Sequence, residues 1–211
     1  MIARDDVINW IGALGRTYYE NQDYLTELDS PIGDADHGVN MARGFLKVEQ
    51  KVPSYAHNCI QDILYDVGTT LLTTIGGSAG PLYGTFFLEA SKHTFGKEVL
   101  SVPEISAMFN GGLVGIMKLG KAVCGDKTMV DSLSPAVVAL ITANAQKKVL
   151  SDALFCALTA AEAGLKATIP MQAYKGRASY LVERSIGYQD PGATSSYLLI
   201  KAAYDIWREA D

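Results

Sequence analysis

Asp29, Asp34 and Asp36 set three carboxylates within eight residues of one another, in the stretch Leu28-Asp29-Ser30-Pro31-Ile32-Gly33-Asp34-Ala35-Asp36-His37-Gly38-Val39-Asn40. Ionised carboxylates crowded this closely repel one another unless a cation lies among them, and hard oxygen donors suit magnesium or calcium. A calcium loop of the EF-hand kind needs glycine at its sixth position and a bidentate glutamate at its twelfth; counted from Asp34, Gly38 falls fifth and Phe45 twelfth. Magnesium is the expected ion. Asp beside Gly and Pro also shapes turns and caps helices, but one cap uses one oxygen-bearing residue. Three acids flanked by His37 and Asn40 exceed that need.

A second loop, Thr73-Thr74-Ile75-Gly76-Gly77-Ser78-Ala79-Gly80-Pro81, leads into an apolar stretch with Leu82, Phe86 and Phe87. Glycine-rich backbone opening a helix offers unpaired N–H groups and the positive end of the helix dipole to an anion, and the Ser78 hydroxyl adds a donor. No lysine follows the glycines and no strand precedes them, so this is not a Walker A loop, and alone it reads better as a tight helix junction. A third stretch runs from Met171 through Lys175-Gly176-Arg177 to Gln189-Asp190-Pro191-Gly192-Ala193-Thr194 and is rich in hydrogen-bond donors. Arg177 can hold a phosphate with its forked guanidinium, and Asp190-Pro191-Gly192 forms a turn that starts the last helix.

The elements that must position these loops are helices. Val7, Trp10, Ile11, Leu14 and Tyr18 form an apolar stripe at spacings of three and four, and Ile60, Ile63, Leu64, Val67 and Leu71 repeat it. Further stripes run through Ile105, Met108, Phe109 and Ile116, through Leu154, Leu158, Ala161 and Leu165, and through Leu199, Ala203 and Ile206. Ser101 with Glu104 forms a capping box, Pro81 and Pro135 each suit a first helical turn, and a helix begins near Asn40. About eight helices of ~10 to 20 residues follow, with no sustained strand alternation. The fold class is all-α, and residues 1–211 form one domain without repeat or linker.

Composition narrows the partners. With 18 basic against 23 acidic residues the net charge is -5, so the chain lacks the broad cationic surface that binds nucleic acid. An acidic chain takes up phosphorylated molecules only where a metal ion or a helix N-terminus reverses the repulsion. The charged start, Arg4-Asp5-Asp6, is no signal peptide, and no apolar run is long enough to span a membrane; a cytoplasmic protein is expected. Cys59, Cys124 and Cys156 are odd in number and irregularly spaced, which fits neither a disulfide framework nor a zinc site.

Taken together, Gly33-Asp34-Ala35-Asp36-His37-Gly38, Gly76-Gly77-Ser78-Ala79-Gly80-Pro81 and Gly176-Arg177-Ala178-Ser179-Tyr180 resemble the signatures of the nucleotide-binding L subunits of dihydroxyacetone kinases. Gly125-Asp126-Lys127-Thr128-Met129 and Gln189-Asp190-Pro191-Gly192-Ala193 stand in the family's order, and the resemblance spans essentially the whole chain. It implies a barrel of eight antiparallel amphipathic helices, with ADP or ATP and two magnesium ions in the loops at one end. By matching position, Asp29, Asp34 and Asp36 would hold the ions, and His37, Gly38, Val39 and Asn40 would lie beside the nucleotide. Ser78 and Ala79 would meet its phosphates, Gly120 and Met129 would line the adenine and ribose pocket, and Arg177 with Asp190, Pro191 and Gly192 would close the site.

The resemblance further implies a separate K subunit that carries dihydroxyacetone and supplies the base, so no catalytic residue is assigned to this chain. It also implies an M subunit of the phosphotransferase system that rephosphorylates ADP in place. Two other readings stay open. One is the nucleotide domain of a related kinase, such as a fatty-acid kinase, whose chain would be longer. The other is a nucleotide-charged regulatory subunit that docks on a transcription regulator.

Overall fold

The computed structural model describes residues 1–210. Nine α-helices appear among them: α1 (Arg4–Glu20), α2 (Gln22–Asp29), α3 (His37–Lys51), α4 (Ile60–Thr74), α5 (Ala79–Lys92), α6 (Val102–Gly120), α7 (Val130–Ala145), α8 (Leu150–Ala167) and α9 (Pro191–Trp207). Two 3-10 helices (Val52–His57 and Arg177–Ser185) complete the helical part. The only strands among these residues are β1 (Ile2–Ala3) and β2 (Val99–Leu100), which pair antiparallel, Ile2 opposite Leu100. Among the described residues no helix is long and apolar enough to cross a membrane.

The apolar stripes do what their spacing predicts. Val7, Trp10, Ile11, Leu14 and Tyr18 are buried on α1, as are Ile60, Ile63, Leu64, Val67 and Leu71 on α4. They converge on an aromatic centre in which Trp10 packs against Trp207, Phe87 and Phe109 at centroid distances of 4.8, 5.8 and 5.8 Å. Each such side chain removed from water contributes ~1.5 to 3 kcal/mol, so this centre sets the helix positions. Packing passes from α1 to α3 and on through α4, α5, α6, α7 and α8 to α9, which returns to α1. Short α2 stands outside that cycle, against α3 and α9, and brings the count to nine where about eight helices are expected.

Helix ends explain two further differences. The Ser101–Glu104 box forms as expected, with the Ser101 N–H donating to Glu104 Oε2 at 3.1 Å. Helix α3 starts at His37 rather than near Asn40, because Asp29 reaches across to its first N–H groups. Pro135 is not in a first turn: α7 begins at Val130 and carries Pro135 in its interior. The proline removes the N–H that would bond the Asp131 carbonyl. Gly164 of α8 packs against this spot, where an added Cβ would lie 2.0 Å from that carbonyl oxygen and 2.9 Å from Pro135 Cγ. The imperfection in α7 is therefore matched by a glycine that lets α8 approach.

Candidate functional site

The Asp29 loop is built around a carboxylate that caps a helix from outside it. Helix α2 ends at Asp29, and the chain turns back with the Gly33 N–H donating to the Asp29 carbonyl at 2.6 Å. Oδ2 of Asp29 then accepts the backbone N–H groups of Asp36 at 3.0 Å and His37 at 3.3 Å, at the N-terminus of α3. Gly33 is required there, since a Cβ would sit 1.9 Å from Asp29 Oδ1. Asp36 occupies the N-cap position of α3 yet makes no side-chain cap bond. The capping role thus falls to buried Asp29, and the Asp34 and Asp36 carboxylates stay exposed.

Ligand oxygens of Asp29, Asp34 and Asp36 lie within 4.8 Å of one another. Three hard anionic oxygens at that separation fit a divalent cation of the magnesium kind, which keeps the remainder of its shell for water or phosphate. Arg177 reaches the same cluster from the third stretch, its Nη2 2.8 Å from Asp34 Oδ2.

The glycine loop faces this cluster across a cavity of about 310 Å³, a size typical of small-molecule sites. Ile75 is extended, Gly77 has φ 63°, and Ser78 is the N-cap of α5. Gly80 lets the first turn of α5 pass over Ile75, whose carbonyl oxygen would be 2.3 Å from a Cβ. The wall holds Asp29, Asp34, Asp36, His37, Asn40, Ser78, Ala79, Gly120, Met129, Arg177, Asp190, Pro191 and Gly192, so the three loops do converge. Gly38 and Val39 stand apart. Gly38 packs against α2, where a Cβ would be 1.9 Å from the Gln22 carbonyl oxygen, and Val39 is 45% exposed and turned away from the cavity.

Sequence reading missed Lys127 as an individual residue. It has φ 60°, is 1% exposed, and its Nζ donates to the carbonyls of Ser185 at 2.6 Å and Met171 at 3.1 Å. The segment carrying Arg177 is thereby fixed at both ends onto the cavity wall. Burial lowers the Lys127 pKa, and the Asp190 charge opposes that shift.

Asp190 caps α9, accepting the Ala193 N–H at 2.6 Å. Burial pushes its carboxyl up to about 7; the Ala193 N–H and Lys127 pull it down, while the charges of Asp131 and Asp29 add to the rise. Beneath the cavity runs a polar chain: His37 Nε2 lies 2.9 Å from Ser195 Oγ, which lies 2.7 Å from the Tyr83 hydroxyl. Burial lowers the His37 pKa against the nearby Asp29 and Asp36 charges, and raises that of Tyr83 to about 12.

Comparison with known proteins follows the same geometry. The DAK2 domain pattern matches residues 31–205. The ADP-binding subunit DhaL of the PEP-dependent dihydroxyacetone kinase of Escherichia coli (strain K12) is 46% identical over 200 residues, covering 95% of each chain. The corresponding subunit of the PTS-dependent dihydroxyacetone kinase of Lactococcus lactis subsp. lactis is 40% identical over 206 residues, 98% of this chain and 99% of that one. The crystal structure of the dihydroxyacetone kinase from C. freundii in complex with AMP-PNP and Mg2+ aligns with a TM-score of 0.72 at 26% identity. That alignment covers 94% of this chain, which spans 33% of the longer kinase. With the domain matched from residue 31 to residue 205 and the bacterial subunits aligned over nearly their whole lengths, this chain belongs to the DAK2 domain family.

Proposed function

We propose that this chain is the nucleotide-holding subunit of a dihydroxyacetone kinase. The observation that carries the reading is the convergence of three carboxylates and a glycine-rich helix N-terminus on one cavity. Acidic walls repel phosphate, whereas the N-terminus of α5 attracts it, and only a cation between them reconciles the two. Two magnesium ions held by Asp29, Asp34 and Asp36 would supply that positive charge to the phosphate oxygens.

The residues of the chain then divide the work. Ser78 and the backbone N–H groups at the start of α5 receive the phosphates, with Asn40 beside them. Gly120 and Met129 bound the base and sugar side of the cavity. Arg177, released from Asp34 or shared with it, bears on the phosphates from the opposite wall, and Lys127 keeps that wall in place. Phosphoryl transfer needs positioning and charge neutralisation more than a covalent partner, and no side chain here is assigned as a base. The acceptor, dihydroxyacetone, is carried by a separate K subunit, and the M subunit of a phosphotransferase system restores the spent nucleotide without its release. The bacterial subunits matched along nearly their full length support this division.

The test combines binding and transfer. Calorimetry should show ADP binding that depends on magnesium and vanishes with a chelator. Dihydroxyacetone phosphate should form from ATP only when a competent K subunit is added. Binding indifferent to magnesium, or no transfer beside an active K subunit, overturns the proposal.

A further inference from the structure

Arg43 lies one turn after Asn40 on α3 and is absent from the cavity wall. Its Nη2 donates to Asn40 Oδ1 at 2.7 Å, and its Nε donates to the Thr74 carbonyl at 3.0 Å. A guanidinium only donates hydrogen bonds, and of the two polar atoms of an amide only the oxygen accepts them. The contact therefore decides which way round the Asn40 amide sits. With Oδ1 taken, Asn40, 6% exposed and on the cavity wall, is left with its Nδ2 donor for whatever enters.

The second bond acts on the other half of the site. Thr74 is the last residue of α4, and the chain passes from it through Ile75 into Gly76 and Gly77. Arg43 ties that root to α3, so the glycine loop and Asn40 are held by one planar group. Gly76 closes over the pair: a Cβ there would lie 3.0 Å from Asn40 Oδ1 and 3.2 Å from Arg43 Nη2, tighter than ordinary contact. Bare backbone is what lets the loop rest on the arginine and asparagine.

We propose that Arg43 is a positioning residue for the phosphate side of the cavity, presenting the Asn40 amide nitrogen to the phosphates and fixing the glycine loop against it. Donors aligned in advance avoid the free-energy cost of ordering them when the ligand arrives. A lysine in this place lacks the planar fork and cannot hold both acceptors in the same geometry. The inference rests on the nucleotide reading of the cavity.

A double-substitution cycle read by ADP affinity in magnesium separates the two. Asn40→Ala and Arg43→Met should each weaken ADP binding by about tenfold, as expected for losing a hydrogen bond to a charged group. Their combination should cost less than the product of the two losses, because part of what Arg43 does passes through Asn40. Arg43→Lys should fall between Arg43→Met and the unsubstituted chain. The ligand-free melting midpoint should hold in Arg43→Met and Arg43→Lys, since the Arg43 side chain lies at the surface. Three outcomes overturn the inference while leaving the nucleotide reading intact: unchanged affinity in Arg43→Met, unchanged affinity in Asn40→Ala, or losses that multiply in full. Failure of the unsubstituted chain to bind ADP with magnesium removes both.

Discussion

Oδ2 of Asp29 accepts the backbone N–H of Asp36 at 3.0 Å, so one acid of the cluster holds another in place through the main chain. The two are therefore not equivalent. Asp29 holds the start of α3 as well as standing in the cluster, whereas the exposed Asp36 carboxylate caps nothing. Asp36→Asn should leave the metal-free melting midpoint unchanged or slightly raised, as one repelling charge is gone. Its magnesium-dependent ADP binding should weaken by several kcal/mol, by analogy with ~3 to 5 kcal/mol for breaking a buried charge pair. Asp29→Ala should lower the metal-free midpoint as well, since losing a helix cap costs ~0.5 to 2 kcal/mol. Calorimetry and thermal unfolding on the two variants decide this, and equal midpoints would remove the structural role of Asp29.

Asp190 predicts a pH dependence in the metal-free chain. Burial raises its folded-state carboxyl to about 7, above the unfolded value of about 4. The folded state binds that proton more tightly, so the stabilisation is complete below about pH 4 and is lost as pH rises towards 7. Asp190→Asn keeps an oxygen for the Ala193 N–H and removes the titration. Urea unfolding from pH 4 to 8 should show a steeper decline in the parent than in this variant. Parallel curves would mean that Asp190 is charged throughout.

Glycines in the site and behind it divide into two kinds, and substitution should separate them. Gly38→Ala sets a methyl 1.9 Å from the Gln22 carbonyl oxygen and 2.5 Å from Thr26 Oγ1, forcing α2 from α3 and moving Asp29 with it. It should destabilise by ~1 to 3 kcal/mol or more, as overpacking does, and weaken magnesium binding too. Gly77→Ala meets nothing within 4 Å but must hold φ 63°. Its penalty should be ~1 to 2 kcal/mol from the left-handed backbone alone. Unfolding curves for the pair provide the check; a milder Gly38→Ala would show that α2 yields freely.

The helices and the carboxylate cluster were legible in the sequence for local reasons. A stripe such as Val7, Trp10, Ile11 and Leu14 needs only the helical repeat, and Asp34 and Asp36 announce themselves by proximity along the chain. What could not be read depends on distant partners. Lys127 takes its meaning from carbonyls 44 and 58 residues away, and His37 from a serine 158 residues away. Pro135 misleads because prolines suit first turns, while the feature that tolerates it inside α7 is a glycine on α8. The family resemblance puts Gly38 and Val39 beside the nucleotide with His37 and Asn40, but on α3 only His37 and Asn40 of the four line the cavity. Arg43 carried no signal at all, since only the folded chain brings Thr74 to it.

On the proposed function, a phosphoryl group delivered by an M subunit would reside either on the nucleotide or on a histidine of this chain. Phosphotransferase relays pass phosphate between histidines, and this chain has three: His37, His57 and His93. His37 is the one in the cavity, but its Nε2 is engaged by Ser195 Oγ at 2.9 Å and the Pro191 backbone hydrogen-bonds the ring as well. Ser195 is held in turn by the Tyr83 hydroxyl at 2.7 Å and by its own bond to the Gly192 carbonyl at 3.0 Å, so freeing the imidazole disrupts a buried chain. A phosphoryl group on His37 would also bring negative charge beside Asp36 and Asp29. His57 is exposed at the end of a 3-10 helix, and His93 packs its ring against Gly111, where a Cβ would be 2.2 Å from Cδ2. Neither faces the cavity. The phosphoryl group should therefore sit on the nucleotide and never on the polypeptide. Radiolabelled phosphoenolpyruvate fed through the complete relay without dihydroxyacetone, followed by denaturation, should yield label in ATP alone. Tyr83→Phe removes the hydroxyl that holds Ser195, and it should not create a protein-bound label either. Acid-labile label on His37 in either chain would replace a nucleotide carrier with a histidine carrier.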